Sequence, residues 1–562
     1  MDTKWIVMFA IFIVIAIYVS IDSKRNAKKK IDERLTKSWG KAGTKKLSKD
    51  ELEVITHYYE DCCDGTIQCD ETDVIDDITW SDLDMNAVFA KMDITNSSIG
   101  REYLYKMLRM PFNSKEKLNE LDRVADYFDK HEKERKSFQK EYVNMGFVKG
   151  ISISDYISLV MELKSGSNLF HYILLVLLVI SFVIGLTVHA LVGTVAVILT
   201  ISIMVISYYR YKAKVEPYFV CIKQVVKMVS TADNLAKLNI PELERYNDDF
   251  RQIAKEFASV VSNSSLLTSA NVTGSLTEML MDYIRMLSHL DLITFNNIVK
   301  KLNNKDKQIF QLMDRLGFLE AAICVASFRR QLPYWCKPKF EGVVYEANQL
   351  YHPLINEPVA NSIQAGRHVL LTGSNASGKS TFLKTVAINA LLSQAIYTSL
   401  SKAYHAPIYR IYSSMSLRDN LGNNDSYYIV EIKSLKRILD AIDTKDIKPV
   451  LCFVDEVLRG TNTVERIAAS SEILQSLNGK NVLCFAATHD IELTSILKHC
   501  YDNYHFQEEV TEDDVQFNFR LHSGPAVTRN AIKLLNIIGY DKKIIAKAEE
   551  RAREFLEKGV WK

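Results

Sequence analysis

From Ser165 to Tyr209 the chain carries no Asp, Glu, Lys or Arg. One helix of roughly 37 apolar residues would be about 55 Å long, far beyond a bilayer core of about 30 Å. Two membrane spans joined by a tight turn fit instead, with Thr187, His189 and Gly193 marking the turn. RYKAK follows the second span, so both ends of this hairpin are expected in the cytosol. A helical hairpin buried inside a soluble body is the alternative.

A further apolar run, Trp5 to Ile21, precedes the basic segment KRNAKKK. At about seventeen residues it is a short span. A cleaved signal peptide would carry its charge before the run and a small-residue cleavage site after it, which favours an uncleaved anchor. The expectation is therefore three spans, an outer N-terminus, and a multi-pass protein of the cell membrane with everything after the hairpin cytoplasmic.

The 562 residues suffice for several domains, and 70 basic against 68 acidic residues leave a net charge of +2. That balance argues against nucleic acid as the main ligand. The nine cysteines are scattered, as suits a reducing compartment. Only CCDGTIQC (Cys62, Cys63, Cys69) is dense, and it reads as free thiols in an acidic loop rather than as a metal or redox site. The acidic stretch from Glu60 to Asp84 reads as a solvated linker.

The C-terminal third carries the chemistry. HVLLTG (His368 to Gly373) reads as a buried strand, and Phe382, Leu383, Val386, Ala387, Ala390 and Leu391 recur at helical spacing from a helix starting near Ser380. Between them GSNASGKST (Gly373, Ser374, Asn375, Ala376, Ser377, Gly378, Lys379, Ser380, Thr381) has the pattern of a phosphate loop. Its glycines let backbone N–H groups point inward, and the helix N-terminus adds positive potential. Lys379 is expected to reach the outer phosphates of ATP, and Ser380 to ligate Mg²⁺. PVLCFVDE ends in paired carboxylates, Asp455 to hold Mg²⁺ through water and Glu456 to act as general base. NVLCFAATHD ends in Thr488 and His489, the histidine placed to sense a γ-phosphate.

Taken in order, LLTGSNASGKSTFLK, DSYYIVEI, FVDEVLRGTNT and FAATHDIELT resemble the ATPase domain of the MutS family of DNA mismatch-repair proteins. The resemblance implies an α/β P-loop NTPase domain of the ABC/MutS type, working with ATP and Mg²⁺ in a head-to-tail homodimer. It implies that Ser426 reaches the partner's nucleotide, although Asp425 stands where the family has a basic residue. RGTNT (Arg459 to Thr463) matches the subunit-facing loop, and Ser377 stands where glycine is common. The adenine stack of the family implies His522 on one side, but Val359 occupies the aromatic's position on the other.

Upstream, Asp84 to Phe112 resembles the start of the MutS core, with Asp93, Thr95, Ser97 and Gly100 matching its N-x-T-x-S-x-G-like run. The segment from Lys214 to Arg330 reads as a helical arm, with Ile222, Val225, Val229 and Ala232 on one stripe and Leu280, Ile284 and Leu287 on another. No room precedes Asp84 for a mismatch-reading domain, and the apolar hairpin stands about where a DNA-clamping insert interrupts the family's helical core. The C-terminal NAIKLLNIIGYDKKIIAKAEERA reads as helix, turn at Gly539, helix. Ile537, Ile538, Ile544 and Ile545 favour dimerisation over DNA reading.

The expected organisation is an anchor at 1–22, a linker at 23–83, a core-like helical segment at 84–165, and a membrane hairpin at 170–209. A helical lever at 210–335, the ATPase domain at 336–524 and a dimerisation element at 525–562 follow. The expected function is a membrane-anchored ATPase whose nucleotide-driven pairing moves helical arms against lipid-embedded segments. A membrane-tethered binder of mismatched or branched DNA is the first alternative, and an ABC-like transport module the second, although no LSGGQ-like signature is present.

Overall fold

The computed structural model describes residues 3–43, 47–71, 73–112, 114–264, 283–374, 377–415, 427–444, 447–458, 461–510, 515–526 and 539–558, with 532 and 535. The chain forms two compact units. One comprises Met1–Cys69, Asp93–Lys106 and Arg123–Ser327, the other Asp70–Met92, Met107–Asp122 and Phe328–Lys562. The helices in chain order are α1 (Thr3–Ser38), α2 (Lys49–Cys63), α3 (Asp77–Asp82), α4 (Met85–Met92), α5 (Ser98–Arg109), α6 (Lys115–Lys130) and α7 (Glu132–Met145). Then follow α8 (Ile153–Glu162), α9 (Leu169–Thr187), α10 (Ala190–Ala236), α11 (Glu244–Ser264), α12 (Leu290–Leu302) and α13 (Asp306–Gln331).

In the first unit α9 and α10 form the expected hairpin, joined at Val188 and His189. Its apolar side chains lie on the outside: Leu186 is 73% exposed, Leu191 69% and Ile206 67%. A hairpin packed inside a soluble body is thus not what is observed. Among the described residues two helices, not the expected three, are long and apolar enough to cross a membrane. Gly193 lies within α10 rather than in the turn, and a Cβ there would overlap the Gly185 backbone. The two glycines let the helices touch. Beyond the hairpin α10 continues as the arm, with Ile222, Val225, Val229 and Ala232 buried as expected. Ile284 is 46% exposed, so the second stripe does not form a core, and Leu280 lies outside the described residues.

The expected linker before Asp84 is ordered. Ser48 accepts the Glu51 N–H and Glu51 accepts the Ser48 N–H, a capping box that opens α2. Farther on, Ile67, Ile75, Trp80 and Leu83 are buried among the acidic residues. The acids meet cations: Asp70 and Glu71 pair with Lys117, Asp73 with Lys448 and Asp77 with Arg109. Scattered apolar residues and distant basic partners fold a stretch whose composition reads as solvated. The free-thiol expectation also fails for two cysteines. Cys62 and Cys69 form a disulfide, while Cys63 is exposed. A turn in which Asp64 accepts the Thr66 N–H and Asp61 accepts the Ile67 N–H brings them together.

The second unit is α/β. Its strands are β1 (Tyr345–Leu350), β2 (Asn361–Ala365), β3 (His368–Thr372), β4 (Ala403–His405), β5 (Arg410–Ser414), β6 (Val450–Asp455), β7 (Val482–Ala487), β8 (Tyr501–His505), β9 (Glu508–Val510), β10 (Val515–Phe517) and β11 (His522–Ser523). The helices of this part are α14 (Lys379–Ile396), α15 (Tyr427–Ile442), α16 (Thr463–Gln475), α17 (Glu492–Ile496) and α18 (Lys542–Lys558). The main sheet runs β11-β8-β3-β7-β6-β5, parallel except for β11. β3 and β6 are buried along their whole length, as strands covered on both faces must be. In the C-terminal element Ile545 is buried and Ile544 exposed; Ile537 and Ile538 lie outside the described residues.

Candidate active site

Leu371 on β3 and Asp455 on β6 are both in register with Ala487 on β7. The ends of β3 and β6 therefore lie at one edge of the sheet, separated by roughly 10 Å across the intervening strand. This is the carboxyl edge, where open α/β sheets take their ligands. Every described site residue expected there, His522 excepted, arises from a strand tip or from the start of α14.

The chain leaves β3 at Gly373 with φ 142°, and a Cβ would come within 2.6 Å of the Phe506 carbonyl oxygen. Gly378 has φ 106° and caps α14. Both positions require glycine. Ser377, where glycine is common, fits because its hydroxyl turns inward and donates to the Ser374 carbonyl at 2.8 Å. Lys379 is buried, and its Nζ donates to the carbonyls of Gly373 (2.9 Å) and Ser374 (2.7 Å). The ammonium thus spans the loop from inside. Ser380 and Thr381 are exposed on the first turn of α14. Asn375 and Ala376 lie outside the described residues, as do Ser426 and Arg459.

At the tip of β6 Asp455 is buried, and Glu456 has φ 54°. A non-glycine residue in the left-handed region is uncommon and marks a strained position. Two contacts hold it there. The Glu456 N–H donates to the Ala487 carbonyl at 2.9 Å, and Glu456 Oε1 lies 2.6 Å from His489 Nε2. His489 Nε2 is also 3.5 Å from Lys379 Nζ. Glu456, His489 and Lys379, separated by up to 110 positions in sequence, thus form one continuous cluster.

Several further residues support this cluster; Thr488, Glu431 and Asn462 lie within the motifs quoted above, and Arg466 lies outside them. Arg466 on α16 grips Asp490 through Nε (2.9 Å) and Nη2 (2.6 Å), fixing the loop that bears His489. Thr488 donates its N–H to the Leu371 carbonyl, tying β7 to β3 beyond the last strand pair. The buried Glu431 carboxylate accepts the Leu458 N–H behind Glu456. Asn462 caps α16 by accepting the Val464 N–H.

Beside the loop lies a cavity of about 360 Å³ lined by His352, Ile355, Val359, Gly378, Phe382 and Phe519, among others. Its apolar lining suits a flat ring. His522 is not part of that lining. It pairs with His505 across β11 and β8, the two rings 5.4 Å apart and nearly parallel. Phe382, Phe506 and Phe519 line the cavity, and the Phe519 ring would meet a Cβ on Gly378 at 3.2 Å. Asn361 clasps that segment, donating to the Phe519 carbonyl and accepting the Leu521 N–H, both at 2.9 Å. Spacing within LHSG points to His522; the turn that presents Phe519 depends on a residue some 160 positions away.

A hydroxyl at Ser380 and a carboxylate at Asp455 are hard oxygen donors, few enough to leave room for water and phosphate oxygens, as Mg²⁺ prefers. Among the described residues no cluster of three or more His, Cys, Asp or Glu is arranged to hold a metal by itself. The donor set fits a metal shared with a phosphate ligand.

A parallel sheet with a glycine-bounded loop, a buried lysine and a strand-tip carboxylate pair defines an α/β ligand-binding domain with its site at the carboxyl edge. Residues 369–556 match the family described as MutS domain V, and this domain is MutS-like. It is 26% identical over 269 residues to a DNA mismatch repair protein MutS of Natronomonas pharaonis, covering 46% of this chain and 31% of that protein. It is 26% identical over 298 residues to MutS protein homolog 4 of Mus musculus (50% and 30% covered), and 28% over 202 residues to MutS of Thermus aquaticus (35% and 24%). The matches span about a third or less of the length of these relatives.

Proposed function

We propose that the chain is a membrane-anchored MutS-family ATPase that hydrolyses ATP to ADP and phosphate in a site shared by two copies. The contact chain Lys379–His489–Glu456 carries this reading, because it joins a phosphate-binding cation to a carboxylate base at one sheet edge. On ATP binding, Lys379 exchanges the Gly373 and Ser374 carbonyls for phosphate oxygens. The cavity by Phe519 and Val359 takes the base, and inward-facing N–H groups of the loop hold the phosphates. Mg²⁺ held by Ser380 and Asp455 would neutralise charge on the β- and γ-phosphates. Glu456 accepts a proton from the attacking water, and His489, held through Asp490 by Arg466, keeps that carboxylate aimed.

Two copies meet head to tail, Ser426 and the loop from Arg459 to Thr463 completing each site. The helices from Lys214 onward convey that closure to the hairpin. Its outward apolar faces support lipid as its surroundings. Glu456→Gln keeps the shape of the side chain and removes the base. ATP turnover should fall by roughly 10²–10⁴-fold while ATP binding persists and the dimer accumulates. Unchanged turnover rejects the assignment of the base.

The names of the relatives favour a second reading, in which the dimer also binds mismatched or branched DNA. It requires binding that weakens steeply with salt and stimulates hydrolysis. Absence of binding at low ionic strength removes it.

A further inference from the structure

At the open end of the hairpin, the first turn of α9 and the last apolar turn of α10 enclose a cavity of about 380 Å³. One side is apolar: Phe170, Ile203 and Ile206 are each at least half exposed. The other side carries Arg210 and Lys214, the first and third cations after the uncharged stretch. Four residues apart on one helix, they project from the same face about 6 Å apart along the axis. Both are exposed, and neither has an ion pair among the described residues.

The other polar side chains of the cavity already have hydrogen-bond partners in the protein. The Ser207 hydroxyl donates to the Met204 carbonyl (3.0 Å), and the Tyr211 hydroxyl to Asn296 Oδ1 (2.9 Å). His171 is buried, its Nδ1 2.8 Å from His289 Nδ1, and His289 Nε2 is 3.0 Å from the Met204 carbonyl oxygen. These bonds fix the inner wall and leave two cations beside an exposed hydrocarbon surface. Such a surface matches a molecule with one anionic head and an apolar chain lying along the span.

We propose that this cavity binds one anionic glycerophospholipid, its phosphate between Arg210 and Lys214 and an acyl chain along Phe170, Ile203 and Ile206. The inference rests on the membrane reading above. The lipid sits against the wall that ties α10 to α12 through Tyr211 and Asn296, so its headgroup braces the start of the arm.

The test reconstitutes the full chain into nanodiscs of phosphatidylcholine containing a minority of phosphatidylglycerol. Lipid retained after extraction is read by native mass spectrometry. The wild type should retain phosphatidylglycerol preferentially, and an Arg210→Gln/Lys214→Gln double variant should lose about thirty-fold in that preference. Equal retention of both lipids, or an unchanged preference in the double variant, overturns the site while leaving membrane insertion standing. Displacement by inorganic phosphate alone would show an anion site without lipid specificity, which also overturns it. A chain that stays in solution without detergent and enters no nanodisc refutes the membrane reading and this site together.

Discussion

Gly100 stands on the first turn of α5, where a Cβ would overlap the carboxylate of Glu320. That carboxylate accepts the Asn96 N–H (2.5 Å) and the Ser97 hydroxyl, and Asp93 accepts the Thr95 N–H and the Arg101 Nε–H. The motif Asp93, Thr95, Ser97, Gly100 is thus a helix entry built around a buried acid some 220 residues away. Its spacing is legible, but its reason is not, because Glu320 looks like any polar residue in a helical arm. Burial pushes the Glu320 carboxyl up to about 8, more strongly than the Ser97 and Asn96 hydrogen bonds pull it down. A carboxyl whose pKa is raised on folding stabilises the protein most below its unfolded value, near 4.5. That contribution is lost as pH rises towards 8. Glu320→Gln should flatten the pH dependence of the denaturation midpoint between about pH 5 and 8. Gly100→Ala should lower stability at every pH. Urea titrations across that range check both, and an unaltered slope in Glu320→Gln refutes the account.

At the scale of elements, α3 closes an open sheet edge. Asp82, 2% exposed, accepts the Ser413 hydroxyl (2.7 Å) and the Met415 N–H (2.8 Å), and Thr79 Oγ1 accepts the Ser413 N–H. Edge strands need such cover. Arg437 on α15 reaches both Asp76 and the Ser413 carbonyl, so one acidic segment holds β5 and α15, the elements on either side of the stretch containing Ser426. Asp82→Ala leaves the Met415 N–H without its acceptor and should cost about 1.5–3 kcal/mol, read from denaturant midpoints. Asp82→Asn should recover part of this. The acids at 70–82 were legible as charge; their partners Lys117, Lys448 and Arg437 lie too far along the chain to be paired by pattern.

For the whole molecule, the proposed shared site makes a prediction that no single-chain site satisfies. Glu456→Gln lacks the base, and Ser426→Ala lacks the residue donated across the dimer. Each alone should be nearly inactive. Mixed together, they form hybrids in which one of the two sites is intact, and ATP turnover should return on mixing, by steady-state phosphate release. No recovery, with both variants shown to exchange subunits, rules out donation of Ser426 in trans.

By itself the sequence determined the strand–loop–helix around Gly373 to Thr381, the carboxylates at 455 and 456, and the apolar hairpin. Each is a local pattern: backbone geometry limits the loop, period and length limit the strands, and absence of charge limits the hairpin. Only the tertiary structure decided that His489 meets both Glu456 and Lys379, and that Phe519 rather than His522 faces the cavity. It alone joined Cys62 to Cys69 and seated the 70–84 stretch on its cations. Those outcomes depend on which distant strand tips and side chains share an edge. Sheet register and long-range packing set that, and neither leaves a period in the chain.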